Sequence, residues 1–350
     1  MRSNSSFFFT LITLAICVTG LNAQTTINTN PEGAITYSLP ATTSGNLTRY
    51  FSAPLASDPV YTGQVFSVTP TTIAIADSPA PWTAGQFTNP AAPYFVKFLS
   101  GQQAGRVILV TANTTNSLTL DTTDHSSQTV PLNATGFGVA STDSFEVFAG
   151  DTLASVFGVN TTQSPLVLQG GSIITADTVS IYSVPLGRFQ AYYFDTTAGF
   201  WKQLGFTANA NNVVLYPYST FAILRRSNEP AISFVLMGKV PEVTRLVKTT
   251  GNSTIYDSTG YPVDMTLGQL NLQNWTKGTL ITADTVSVWN APLGRFDAYY
   301  QQSSDSHWRK VGDSVTDQNN FVIPAGTAVA FLRRSGVSGS ASYIEPTIPY

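Results

Sequence analysis

The 350-residue sequence has little charge and almost no cysteine. Asp, Glu, Lys and Arg make up 11% of it, whereas about 25% is usual in soluble proteins. The 20 acidic and 17 basic residues nearly balance, so the chain lacks the basic excess that nucleic-acid binding requires. A single cysteine, Cys17, excludes a disulfide scaffold. A hydrophobic content of 43% excludes disorder caused by high charge and low hydrophobicity.

Long apolar runs are missing after the N-terminal segment. Arg2, the apolar run Phe7 to Val18 and the small residue Ala23 are together typical of a secretory signal peptide. We expect cleavage after Ala23 and export to the periplasm, the cell surface or the medium. This apolar run is shorter than the roughly 20 residues of a membrane span. Because no later run is longer, no transmembrane segment is expected in the mature chain. Ile16 before Cys17 is too bulky for a lipoprotein box.

One segment of the chain occurs twice. Residues 171–193 recur as residues 278–300 with 16 of 23 positions identical. The match continues through Trp201 and Trp308, and then through the Leu-Arg-Arg-Ser segments at residues 224–227 and 332–335. An offset near 107 residues is too long for a solenoid or a propeller blade and indicates a duplicated module.

The repeated segments and the region before them predict β-structure. Polar and apolar residues alternate from Thr178 and again from Thr285, and turn residues separate such runs throughout the chain. We therefore predict an all-β fold, with a small N-terminal β-barrel or sandwich followed by two homologous antiparallel β-modules. The predicted boundaries are 1–23 for the signal peptide, 24–150 for the N-terminal β-domain, 151–241 for the first copy and 242–350 for the second. Short helices are expected only around Thr152–Phe157 or Leu267–Leu270.

Several motifs of this sequence occur in an order that is similar to a known family. They are Asn30-Pro-Glu-Gly33, Tyr61-Thr-Gly-Gln-Val65, Trp82-Thr-Ala-Gly-Gln-Phe87, and two Ala-Tyr-Tyr hairpins with Trp201-Lys202 and Trp308-Arg309. With them the chain resembles a family of uncharacterised exported bacterial proteins that have an N-terminal β-domain and two copies of a Tyr-Tyr/Trp-Lys β-module. The resemblance implies the same order of domains. It supplies no catalytic residue, substrate or cofactor.

Catalytic and metal-binding patterns are scarce. The two histidines are His125, in a polar loop, and His307, whose counterpart in the first copy is Phe200. Neither stands in a nucleophile motif, so we expect a loop histidine and a packing residue. Asp121 and Asp124 do not complete a calcium loop. No catalytic residue, metal or cofactor is therefore expected.

The repeated acids and arginines are expected to be structural. Asp177 and Asp284 stand in identical Thr-Ala-Asp-Thr contexts, and a duplicated acid supplies no separate acid and base roles. Each is expected to set a turn or to pair with Arg188 or Arg295 across a hairpin. In the repeated pairs Arg225-Arg226 and Arg333-Arg334, alternation aims one arginine inward, toward an acid.

The repeated aromatic residues are the predicted binding residues: Tyr192, Tyr193, Trp201, Tyr299, Tyr300 and Trp308. Adjacent strand residues face opposite sides, so one tyrosine of each pair is expected to face water. Exposed rings of this kind bind sugars or protein surfaces. The alternative is core and cross-strand packing.

Three functions remain open from the sequence. The first is a non-enzymatic exported β-protein with a structural or adhesive function in the envelope or outside the cell. The second is a carbohydrate-binding protein that uses the repeated Tyr and Trp faces, and the third is a hydrolase with a site between the modules. The expected partner is correspondingly a polysaccharide or an envelope protein.

Overall fold

The computed structural model describes residues 32–123, 129–183, 185–249, 251–272, 275–334 and 342–344. These residues belong to one unit, Pro31–Tyr350. They form almost only antiparallel β-sheets, so the predicted all-β fold is confirmed. The predicted signal peptide, His125 and Asp124 lie outside the described residues.

The first two strands pair with strands far along the chain. They are β1 (Glu32–Leu39) and β2 (Leu47–Ser52). β1 pairs with Ile232–Lys239 and β2 with Thr220–Arg225. Buried residues alternate along β1, which places Ile35, Tyr37 and Leu39 in the core that residues 153–234 form.

A seven-stranded sheet follows, which we call the inserted sheet. Its strands are β3 (Pro59–Gln64), β4 (Ser67–Val68), β5 (Thr72–Ala74), β6 (Tyr94–Phe98), β7 (Val107–Asn113), β8 (Ser117–Leu120) and β9 (Ser144–Ala149). They are ordered β3-β9-β6-β7-β8-β5-β4, with Trp82, Phe87 and Phe98 in a core of their own. Among the described residues no closed barrel is present, because β3 and β4 are the edges of this order.

The first copy then continues with seven strands and one short helix. They are β10 (Asp151–Thr152), α1 (Leu153–Phe157), β11 (Thr178–Ser183), β12 (Arg188–Asp195), β13 (Phe200–Gln203), β14 (Val214–Leu215), β15 (Thr220–Arg225) and β16 (Ile232–Lys239). The main sheet has the order β13-β12-β11-β15-β2, and two ribbons, β1-β16 and β10-β14, complete it. We call residues 32–52 and 151–239 together module 1.

Module 2, residues 247–344, has the same plan. Its elements are β17 (Val247–Thr249), β18 (Ser253–Asp257), β19 (Met265–Thr266), a 3-10 helix (Leu267–Leu270), β20 (Thr285–Asn290), β21 (Arg295–Gln301), β22 (Trp308–Lys310), β23 (Val322–Ile323), β24 (Val329–Arg333) and β25 (Ser342–Ile344). The main sheet has the order β22-β21-β20-β24-β18, with ribbons β17-β25 and β19-β23. Each strand of module 1 therefore has a counterpart in module 2.

This correspondence shows where the inserted sheet joins the chain. In module 2, residues 258–264 connect β18 to β19, whereas in module 1 the whole inserted sheet lies between β2 and β10. The structure thus places β1 and β2, which the sequence analysis assigned to the N-terminal domain, in module 1.

Both predicted short helices are present at equivalent places. The side chains of Thr152 and Thr266 accept hydrogen bonds from the backbone N–H groups of Ser155 and Gln269. In return, the side chains of Ser155 and Gln269 accept hydrogen bonds from the backbone N–H groups of Thr152 and Thr266. This reciprocal arrangement is a capping box, which satisfies two backbone donors at a helix start. No helix among the described residues is long and apolar enough to cross a membrane.

The two modules meet at a cluster of six aromatic rings. Ring centroids of Tyr50 lie 4.6 Å from Trp289 and 5.2 Å from Phe296. The counterpart of Tyr50 is Tyr256, whose ring lies 5.5 Å from Tyr182 and 4.9 Å from Phe189. Because Tyr182 and Phe189 are the counterparts of Trp289 and Phe296, the contacts are reciprocal. Reciprocity of this kind indicates an approximate two-fold axis between the modules.

Candidate functional site

The six predicted binding residues are all buried. Tyr192, Tyr299, Trp201 and Trp308 lie in the module cores, and Tyr193 is only 9% exposed. The expectation that one tyrosine of each pair faces water is therefore wrong. The physical reason is that β12 and β21 have a neighbouring strand on each side, and the burial of both tyrosines of each pair shows that both faces of the sheet are covered there. Exposed platforms at these residues are thus not present.

Asp177 holds the end of the main sheet in module 1. Its carboxylate lies 2.9 Å from Nε of Arg225, and it accepts a hydrogen bond of 2.8 Å from the backbone N–H of Arg226. The guanidinium of Arg226 in turn donates to the backbone carbonyls of Ala176 and Ile173. Both members of the Asp177–Arg225 pair are almost fully buried, so the pair is part of the core.

Module 2 repeats this arrangement. Asp284 lies 3.3 Å from Nη1 of Arg333 and accepts a 2.8 Å hydrogen bond from the backbone N–H of Arg334. The prediction of an inward arginine paired with an acid is confirmed. The predicted pairing with Arg188 or Arg295 is wrong, because both are exposed residues at the start of β12 and β21.

His307 lies at the surface of module 2. Its Nδ1 is 3.4 Å from a carboxylate oxygen of Asp317 and 3.7 Å from one of Asp305, and its side chain is 44% exposed. The expected packing role is therefore wrong for this residue. Within the described ranges, no three His, Cys, Asp or Glu side chains are grouped so that they could hold a metal ion.

A cavity of about 430 Å³ lies between the two modules, beside the aromatic cluster. Volumes from roughly 300 to 1,000 Å³ are typical of small-ligand sites. Module 1 contributes residues 36–38 and 49–51, and module 2 contributes Val288–Pro292, Asp297 and residues 321–327 except Ile323. We call it the inter-module pocket.

Aromatic rings and a glycine shape this pocket. Tyr50 and Trp289 lie against each other, and Tyr37 stacks on Phe234. Gly326 occupies the position that Tyr218 has in module 1, and a Cβ there would come within 2.8 Å of the Tyr37 ring. Its φ of +73° also favours glycine. A side chain at this position would therefore collide with the ring of Tyr37, which lines the pocket.

Asp297 is the acidic group of the pocket. Its side chain is buried and accepts hydrogen bonds of 2.8 Å from both Lys310 and Asn290, while Arg295 Nε lies 3.3 Å away. Burial alone would raise the pKa of the carboxyl, but these donors outweigh it and lower the pKa. The carboxylate therefore stays ionised at neutral pH and is an acceptor. Burial, and to a lesser degree the charge of Asp297, raises the pKa of Tyr299 to about 12.

Within the closely matching 23-residue segment, the pocket coincides with most of the positions at which the two copies differ. Seven of the 23 aligned positions in the repeat are not identical. Five of these seven line the pocket in module 2, and they are Val288, Trp289, Asn290, Ala291 and Asp297. Identical positions such as Asp284 hold the framework. The differences between the copies are therefore the signal in the sequence for this site, whereas the identities mark the framework.

Comparisons of the chain with models of protein families, with curated proteins and with solved structures find no match. The resemblance to a family of exported bacterial proteins stays a prediction. The inter-module pocket is thus defined by its own geometry and chemistry.

Proposed function

We propose that this chain is an exported, non-enzymatic β-protein that works by binding, and that the inter-module pocket holds its ligand. The observation that carries the proposal is the divergence of the two copies at the pocket. Within the segment in which the two copies are most alike, five of the seven differences line this one cavity, as expected if the pocket of module 2 has a role of its own. Export to the periplasm, the cell surface or the medium belongs to the proposal and rests on the N-terminal sequence pattern.

The pocket has the composition of a binding site. Its lining is largely apolar and aromatic, and a few polar groups, Arg49, Asn290 and Asp297, are available to orient a ligand. The residues duplicated in both modules, such as Asp177 and Asp284, are buried in ion pairs that stabilise the fold. We therefore assign the acids of the repeat to structure and the pocket to function.

The test exchanges pocket residues for their counterparts in module 1. The variant Trp289→Tyr with Asn290→Ser introduces residues that the same backbone already carries at Tyr182 and Ser183. Binding of the purified protein to a panel of glycans and other small molecules is measured by calorimetry. We expect affinity for any ligand of the panel to fall by about tenfold or more, which corresponds to roughly 1.4 kcal/mol.

The matched control is the reverse exchange in module 1, Tyr182→Trp with Ser183→Asn. It alters the aromatic cluster to a similar degree but leaves the pocket lining intact, so the affinity should not change. Loss of binding in the control but not in the pocket variant would contradict the proposal.

A second candidate is a structural or adhesive protein of the envelope that needs no small ligand. The duplicated Asp–Arg pairs favour it, because they show that the repeat retains residues of the framework. It predicts that the intact protein binds envelope material equally well with and without the pocket exchange.

A further inference from the structure

An unpaired cation lies in the wall of the inter-module pocket. Arg49 is half-buried on β2, and its guanidinium donates one long hydrogen bond, 3.4 Å, to the carbonyl of the neighbouring Thr48. In the part of the chain that the structure describes, no carboxylate lies within 4 Å of it. A half-buried guanidinium without an acidic partner is suited to a ligand carboxylate, which it can bind through two parallel hydrogen bonds.

The one carboxylate of the pocket does not neutralise Arg49. Asp297 is already surrounded by Lys310 and Arg295, at 2.8 and 3.3 Å. Asp264, whose carboxylate accepts a 2.8 Å hydrogen bond from the backbone N–H of Ala325, is a second acid beside the pocket. Arg49, Lys310 and Arg295 outnumber these two acids, so the surroundings of the pocket keep a net positive charge, although the chain as a whole has a formal charge of −3. A cationic pocket in an anionic protein favours an anionic ligand over a neutral one.

The remaining lining favours a ring that carries hydroxyl groups. Tyr50 is partly exposed and offers an apolar surface, which the buried ring of Trp289 supports from 4.6 Å. Amide and hydroxyl groups come from Asn290, Thr36, Ser38 and Thr327. Asp297, held in place by its three donors, keeps acceptor capacity for a ligand hydroxyl, because a carboxylate has about four lone-pair sites. A simple aromatic acid would leave these polar groups unused.

We propose that the inter-module pocket binds an acidic saccharide, a hexuronate residue whose carboxylate pairs with Arg49 and whose ring packs against Tyr50, which Trp289 holds in place. The hydroxyl groups of the ring bond to Asn290 and Asp297. This inference rests on the proposed function, because it names the ligand class of the same pocket. Its chemical source, a free oligosaccharide or a segment of a polymer, offers the same carboxylate and ring.

The experiment measures binding of the full chain to oligomers of galacturonate and glucuronate, and to the neutral oligomers of galactose and glucose. We expect at least one acidic oligomer to bind at least tenfold more tightly than its neutral counterpart. Arg49→Gln should weaken acidic binding by about tenfold to hundredfold, the range for a lost hydrogen bond to a charged group. Neutral binding should stay within threefold, and higher salt should weaken only the acidic binding.

Two further variants keep the test decisive. Arg49→Lys retains the charge and should recover part of the lost affinity, which separates the charge from a packing effect. Arg188→Gln removes an exposed arginine outside the pocket lining and should leave the affinity unchanged. Thermal unfolding of each variant checks that the fold is kept.

The outcomes distinguish this inference from the proposed function. If neutral and acidic oligomers bind equally and Arg49→Gln has no effect, while the Trp289→Tyr and Asn290→Ser exchange still weakens binding, the acidic saccharide is wrong and the binding function stands. The panel also includes phenylacetate, an aromatic acid without hydroxyl groups, and if it binds more tightly than any hexuronate, the saccharide is likewise wrong. If no compound in either panel binds, or if no substitution in the pocket changes the affinity, both proposals fail.

Discussion

Individual charged residues are few in this protein, and many of them are buried. Asp177 and Asp284 are fully buried within the modules. Lys97 and Glu146 of the inserted sheet are also buried, and Glu146 pairs with both Lys97 and Lys239 of module 1. Burial lowers the pKa of Lys97, an effect that the charge of Glu146 opposes. A buried charge is tolerated only when it is paired. Although this protein has few charged residues, many of them are therefore paired with specific partners inside the fold.

The first prediction concerns the buried ion pair between Asp177 and Arg225. Asp177→Asn removes the negative charge but keeps the size of the side chain, which leaves the buried guanidinium without its main counter-ion. We expect the free energy of unfolding to fall by about 3 kcal/mol, the low end of the range for breaking a buried pair. Urea denaturation of the purified protein measures it.

Two further variants show whether a loss of stability in Asp177→Asn comes from the broken ion pair. Asp58→Asn, at an exposed position, should change stability by less than about 0.5 kcal/mol. Adding Arg225→Met to Asp177→Asn should restore part of the loss, because the uncompensated charge is then gone. If Asp177→Asn is as stable as the original protein, the pair does not stabilise the core.

The segment that links the two modules packs closely against neighbouring parts of the fold. Gly105, in the turn before β7, lies against the backbone of Thr244 and Leu246 in the segment that links the two modules. In the same segment Arg245 pairs with Asp257, at 2.6 and 2.7 Å, and lies over the ring of Tyr218. The linking segment is therefore held by both the inserted sheet and the modules.

The second prediction concerns this close approach. In Gly105→Ala the new Cβ would overlap the carbonyl oxygen of Thr244, so the linking segment must shift. Both the positive φ, roughly 1–2 kcal/mol, and the overlap, about 1–3 kcal/mol, should lower the free energy of unfolding. Thermal and urea denaturation give the sum.

Gly136→Ala is the matched control. Gly136 has a similar φ, +74° against +81°, but no atom lies within 4 Å of its Cβ position. It should show only the cost of the backbone conformation. Equal losses in the two variants would mean that the approach of Gly105 to Thr244 does not matter.

The predictability of single elements follows from local signals. Strands β11 and β20 were predicted from alternation, and the two capped turns from Thr152 and Leu267 onward, because those patterns depend only on neighbouring residues. The exposure of Tyr193 and Tyr300 was not predictable in the same way. Alternation says which side of a strand a residue takes, but not what covers that side.

The whole molecule is a pair of equivalent modules with a sheet inserted into the first. Module 2 connects β18 to β19 through residues 258–264 only, so the ends of β2 and β10 can be joined just as directly. We predict that replacing residues 56–150 by the sequence of residues 258–264 leaves both modules folded and the inter-module pocket intact.

Circular dichroism and a single cooperative thermal transition would show folding of the shortened chain. Its affinity for a ligand that binds the full chain at the inter-module pocket should stay within threefold. Some loss of stability is expected, because Phe95 of the inserted sheet packs on Tyr216 and Glu146 pairs with Lys239. An unfolded or aggregated product would show that the inserted sheet is required by the modules.

The amino-acid sequence by itself determined the fold class, the duplication and the positions of most strands in the repeats. These depend on residue period, turn residues and identity between the copies, which are properties of neighbouring positions. The tertiary structure alone decided that β1 and β2 complete module 1, that Asp177 and Asp284 pair with Arg225 and Arg333, and that a pocket lies between the modules. Each of these is a contact between residues far apart in the chain, and such contacts follow from how whole sheets pack rather than from local pattern.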